Sequence, residues 1–236
     1  MHFRVVQFNW FNGLVRALND DRYIYAVVVT GEGTRFFSAG AELKSFAACD
    51  KVEARLMVQR FGEAFKALQE ARPVVIAAIN GYAMGGGLEC ALACDIRIAE
   101  EQSQMALPEP AVGLLPSGCG TQTLPWLVGE GWAKRMILTN ERVNADTALK
   151  IGLVEEVFGK GESLDSALRL AERVASLSPQ AVAFSKQLIH SARQGVPRRA
   201  ALALERERFI DLFDWDDQRE GVNAFLEKRK AVWKNC

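Results

Sequence analysis

Residues 74–89 read VVIAAINGYAMGGGLE, and this stretch decides the fold. Its first six residues, Val74 to Ile79, are an unbroken run of β-branched and small apolar side chains. That is the pattern of a strand buried on both faces. Arg72-Pro73 just upstream stops the preceding segment, because the residue before a proline is pushed out of the helical region. Gly81 to Gly87 then turn the chain, and Leu88 to Cys94 supply the small apolar residues of a helix. A buried strand that passes through glycines straight into a helix predicts an α/β core with largely parallel strands.

The flanks agree with this reading. Ala26 to Thr30 is a second buried strand, closed by the turn Gly31-Glu32-Gly33. Residues 52–70 place Val52, Leu56, Phe61, Phe65 and Leu68 near helical spacing. Beyond the central stretch, Asp95 to Ala99 predicts a third strand, followed by an extended piece at Met105-Ala106-Leu107. Leu153 to Phe158 is the last strand-like run. After about residue 160 the composition changes, and residues 163–176, 179–190, 197–213 and 216–230 are all periodic as helices, with Ser, Pro or Asp near their starts. A core over residues 1–175 and a helical region over 176–236 follow as the domain organisation. There is no fixed-period repeat and no low-complexity linker.

Composition excludes several classes of function. Lys+Arg and Asp+Glu both number 29, so the chain lacks the basic excess of a dedicated nucleic-acid binder. No apolar run approaches the roughly 18 residues of a membrane helix, and the opening residues lack the apolar segment of a signal peptide. The expected setting is the cytoplasm. The five cysteines, Cys49, Cys90, Cys94, Cys119 and Cys236, are scattered, and the chain has only two histidines, so no metal site is expected. The cysteines read as reduced packing residues.

Two carboxylates stand out near the glycines. Glu89 opens an otherwise apolar helix, where a charge is costly to bury. Glu109 lies between prolines in Leu107-Pro108-Glu109-Pro110, a rigid loop followed by Gly113, Gly118 and Gly120. Taken singly, each is more often a helix-cap or surface residue, and the triple glycine is as often a tight turn as a ligand cradle. Together with glycine-built backbone donors they suit general acid/base catalysis with oxyanion stabilisation. Nothing in the residues themselves brings the two together in space.

Several segments, in order, resemble the crotonase superfamily of enoyl-CoA hydratases and isomerases. They are residues 36–43 (FFSAGAEL), 73–89, Cys94-Asp95-Ile96-Arg97, Leu107-Pro108-Glu109, Gly120-Thr121-Gln122 and residues 221–229 (GVNAFLEKR). The resemblance runs from about residue 14 to the C-terminus. It implies a spiral of ββα units with C-terminal helices that build homotrimers or dimers of trimers. It implies an acyl-CoA thioester as substrate, and no metal and no cofactor beyond the coenzyme A of that substrate. The positions matching the family's two catalytic glutamates are Glu89 and Glu109, and those matching its oxyanion-hole N–H groups are Ala41 and Gly86. Ala39, Leu43 and Ser117 match substrate-contacting positions, and Phe225 and Lys228 match residues that reach a neighbouring subunit's coenzyme A. The acyl pocket walls are expected from residues 44–62.

Because both acids are Glu, the implied activity is hydration of a trans-2-enoyl-CoA to the 3-hydroxyacyl-CoA. Isomerisation, a specialised hydratase or hydrolase activity, and a catalytically weakened acyl-CoA-binding relative are the alternatives. The chain departs from the family in residues 1–11, which do not match its usual N-terminal strand pair. It also departs at Glu42, Ser117, Cys119 and Thr123, the second and third of which stand at glycine-favoured positions.

Overall fold

The computed structural model describes residues 5–235, and for residues 5–10 and 12 the backbone alone. Helix α1 (Val5–Asp20) leads to β1 (Ala26–Thr30) and β2 (Phe36–Ser38), then α2 (Lys44–Ala47) and α3 (Lys51–Gln69). The central stretch forms β3 (Val74–Ile79), β4 (Tyr82–Met84) and α4 (Gly86–Leu92). β5 (Ile96–Glu100), β6 (Gln104–Ala106), α5 (Gly120–Leu138), β7 (Val143–Asn144), α6 (Ala145–Lys150) and β8 (Glu156–Phe158) follow. Four helices end the fold: α7 (Ser163–Ala175), α8 (Pro179–Arg193), α9 (Arg198–Asp211) and α10 (Asp216–Leu226).

The strands make two four-stranded sheets, in the orders β1-β3-β5-β8 and β2-β4-β6-β7. Each successive strand pair gives one member to each sheet, which winds the chain into a spiral. Every neighbouring pair is parallel except β6 with β7. β3 is buried along its whole length, as its unbroken apolar run requires. Its neighbours β1 and β5 align from Ala26 opposite Val74 and from Ile76 opposite Ile96.

Helix α3 starts on a capping box, with the Asp50 side chain accepting from the N–H groups of Val52 and Glu53. Its inner face is Met57, Phe61, Ala64, Phe65 and Leu68. Val52 and Leu56, expected on that face, are exposed. Leu56 sits about 100° around the helix from Met57, and that rotation turns it outward. Helix α4 begins two residues earlier than expected, at Gly86, and β5 begins one residue later, at Ile96. Residues 1–4 of the unmatched start lie outside the described residues; residues 5–11 belong to α1, and among the described residues no strand precedes β1.

Buried charged groups tie these layers together. The Arg97 guanidinium donates to the carbonyls of Cys94 and Leu153 and to the Glu155 carboxylate, fastening β5 to the chain entering β8. Lys186 on α8 pairs with Asp95 at 2.6 Å and donates to the Pro73 carbonyl. The C-terminal segment folds back, with the N–H groups of Lys234 and Asn235 donating to Asp217 and the Trp233 indole donating to the Ser176 carbonyl. Cys49, Cys90, Cys94 and Cys119 are free thiols, and burial pushes those of Cys90 and Cys119 up to about 12. Cys236 lies outside the described residues. Among the described residues no helix is long and apolar enough to cross a membrane.

Candidate active site

The glycines after β4 place the first glutamate. Gly85 holds φ +54°, ψ −127°, a backbone conformation closed to side-chain-bearing residues, and so turns the chain from β4 straight into α4. All seven residues of α4 are buried, Glu89 among them at 3% exposure. Such a carboxylate needs donors. Its Oε1 receives three, from the backbone N–H groups of Gly118 (2.8 Å), Cys119 (2.9 Å) and Gly120 (2.8 Å), where the chain enters α5. Charge-assisted bonds of this kind compensate a buried negative charge.

Glu109 is the first residue of a short 3₁₀ turn, Glu109–Val112, that follows β6. Its Oε1 lies over Gly85, where a Cβ would come within 2.8 Å. Its Oε2 is buried without a hydrogen-bond partner among the described residues. Burial pushes its carboxyl up to about 7, and the nearby charge of Glu89 adds to the rise. The two acids therefore differ: Glu89 is fully donated to at one oxygen, whereas Glu109 is desolvated and holds a proton near neutrality.

Both line one cavity of about 590 Å³. Ala39, Ala41, Leu43, Gly86 and Ser117, all expected at the site, line it too. The Ala41 backbone nitrogen lies 3.8 Å from the position a Cβ on Gly86 would take, so the two backbones meet at its wall. Part of the apolar lining comes from Phe46, Val58 and Phe61, inside the expected stretch 44–62. Val112, Leu114 and Leu115 also line it and were not expected. Phe225 and Lys228 are not in this cavity. Phe225 is 83% exposed on α10, and Lys228 follows that helix with φ +56°. The donors of Gly118, Cys119 and Gly120 were missed, the glycines after Pro116 being their one sequence signal. No group of three or more His, Cys, Asp or Glu side chains placed to hold a metal ion occurs among the described residues.

The pattern of the enoyl-CoA hydratase/isomerase family fits residues 11–236. The short-chain-enoyl-CoA hydratase of Clostridium acetobutylicum is 39% identical over 217 residues, which cover 92% of this chain and 83% of that protein. The 2,3-dehydroadipyl-CoA hydratase of Escherichia coli is 38% identical over 220 residues, covering 93% and 85%. The structure of Pseudomonas aeruginosa DspI matches with a TM-score of 0.96 at 63% identity, over 99% of this chain and 88% of that one. An enoyl-CoA hydratase from Bacillus anthracis matches with a TM-score of 0.95 at 34% identity, over 100% and 91%. With its spiral of parallel strands and its two inward glutamates, the chain belongs to the enoyl-CoA hydratase/isomerase family, within the crotonase superfamily.

Proposed function

We propose that this protein is an enoyl-CoA hydratase, adding water across the 2,3 double bond of a trans-2-enoyl-CoA to give the 3-hydroxyacyl-CoA. The observation that supports this most is the contrast between two glutamates facing one cavity, one anchored by three N–H groups and one desolvated, with an unpartnered oxygen. Glu89 takes a proton from water as the new C3–O bond forms. Glu109, with its proton held up to about pH 7, delivers one to C2. A proton passing back from Glu89 to Glu109 restores the start, so the net addition is one water. The negative charge that develops on the thioester oxygen is met by the N–H groups of Ala41 and Gly86.

Ala39, Leu43 and Ser117 contact the substrate at the cavity wall. The reaction draws on no cofactor beyond the substrate's own coenzyme A and on no metal. Residues 1–175 act as the catalytic core and residues 176–236 as the assembly region of a homotrimer or a dimer of trimers. The exposed apolar side chains of Phe209, Ile210, Phe213, Phe225 and Leu226 support that assembly. Phe225 and Lys228 then face a neighbouring subunit's coenzyme A. The buried free thiols suit the cytoplasm.

The test is loss of the enoyl-thioester ultraviolet absorbance with crotonyl-CoA, and identification of the 3-hydroxy product. Glu89→Gln and Glu109→Gln should each slow hydration by at least ~10²-fold. The double variant should be far less than multiplicatively worse, since the two act as a unit. A single variant within a few-fold of wild type would refute the two-glutamate mechanism.

A further inference from the structure

The turn that receives Glu89 has a construction that its hydrogen bonds alone do not explain. A Cβ built on Gly118 would lie 2.4 and 2.5 Å from Cδ2 and Cε2 of Phe65, and 3.1 Å from Glu89 Oε2. Phe65 is 1% exposed and packs edge-on against Phe61, a residue of the cavity wall. On the other side, a Cβ on Gly120 would lie 2.9 Å from Leu107 and Pro116 side-chain atoms and 3.1 Å from Glu89 Oε1. Ring and carboxylate thus crowd the side of the Gly118 backbone on which a side chain would project, so a methyl group there would have to displace one of them. Between the two glycines, Cys119 donates its thiol to the Glu89 main-chain oxygen at 3.3 Å. Burial keeps that thiol protonated, up to about 12, so it remains a donor. One turn therefore grips Glu89 at two points, its main-chain oxygen and its Oε1.

We propose that the turn 118–120 is a positioning device for Glu89, with Gly118 as its key residue: the Phe65 ring fills the space a side chain at 118 would need, the three N–H groups fix Oε1, and the second oxygen is left for water in the cavity that Glu89 lines. Three bonds to one oxygen halt rotation of the carboxylate. The catalytic group is held in orientation before substrate arrives, as efficient proton transfer requires. The inference rests on the acid/base role of Glu89 given above. It adds Gly118 and Gly120 as residues that act through Glu89 and touch no reacting atom.

The test compares turnover of crotonyl-CoA with binding of butyryl-CoA, a saturated ester that needs no activated water. Gly118→Ala should lower kcat by ~10–100-fold and leave the butyryl-CoA Kd within about twofold. Adding Phe65→Leu makes room for the new methyl group, and the double variant should recover about a third or more of the rate lost in Gly118→Ala. Gly120→Ala should show the same split, and replaces Gly118→Ala as the deciding variant if the latter does not fold. A folded Gly118→Ala or Gly120→Ala enzyme with normal kcat would overturn the proposal, and so would one in which kcat and ester binding fall together. A wild-type protein that hydrates no enoyl-CoA, or a fully active Glu89→Gln variant, would instead refute the acid/base reading. Activity in wild type, its loss in Glu89→Gln and its retention in Gly118→Ala would refute the positioning role alone.

Discussion

Replacing Glu109 by Gln removes an ionisable group from the cavity and leaves its size and shape almost unchanged, so the cost of desolvating that carboxyl becomes measurable as stability. In the folded chain burial holds Glu109 up to about 7, against an ordinary value of 4.5. A carboxyl that binds its proton more tightly when folded contributes its stability at low pH. The contribution is complete below about 4.5 and is lost as pH rises through about 7. At ~1.4 kcal/mol per pH unit the ceiling is about 3 kcal/mol. Glu109 is partly open to the cavity and its charge is partly screened by water, which brings the expected effect to ~1–2 kcal/mol. Guanidinium unfolding followed by circular dichroism, at fixed protein concentration, should find Glu109→Gln close to wild type at pH 5, apart from a constant offset. By pH 8 the variant should have gained ~1–2 kcal/mol on wild type. A difference between the two proteins that stays flat from pH 5 to 8 would refute the claim that Glu109 is protonated by its surroundings.

Three further outcomes are expected. Gly86→Pro deletes one N–H at the first position of α4, where proline is well tolerated and where the nearest foreign atom, Phe61 Cε1, leaves a Cβ 3.5 Å of space. A folded variant, checked by circular dichroism, should lose ~10²–10³-fold in kcat, and a near-normal rate would remove Gly86 from the oxyanion hole. Light scattering should find a trimer or hexamer, and Lys228→Ala should weaken acyl-CoA binding more than turnover at saturation. A monodisperse monomer with full activity would defeat the assembly and the role given to Phe225.

The parts of the fold that were legible are those where burial alone dictates residue type. Ala26 to Thr30 and Val74 to Ile79 are strands at the residues expected, because an unbroken β-branched run has few other uses. β2 and β4 escaped notice because three residues are too few to show alternation, and Tyr82–Met84 hid inside the glycine-rich stretch. α5 was obscured by Pro125, Gly129 and Gly131; Gly129 interrupts it with φ +77°, so its sequence lacks the signal of one continuous helix. At the candidate site, the resemblance pointed to Glu89 and Glu109, and the structure brings both to one cavity. The grip on Glu89 was invisible because its donors are backbone N–H groups, which every residue but proline carries.

The Arg97 hub has a consequence for how the chain is made. β5 and Arg97 emerge early in synthesis, yet the Glu155 carboxylate that meets the Arg97 guanidinium and its own N–H lies 58 residues downstream. At ~5–20 residues per second a ribosome needs several seconds to supply it. During that interval the edge of β5 that will take β8 stays open, and a guanidinium destined for burial stays hydrated. An unpaired strand edge is a template for pairing with another chain, so between completion of β5 and delivery of residues 153–158 a chaperone that shields strand edges lowers the risk of aggregation.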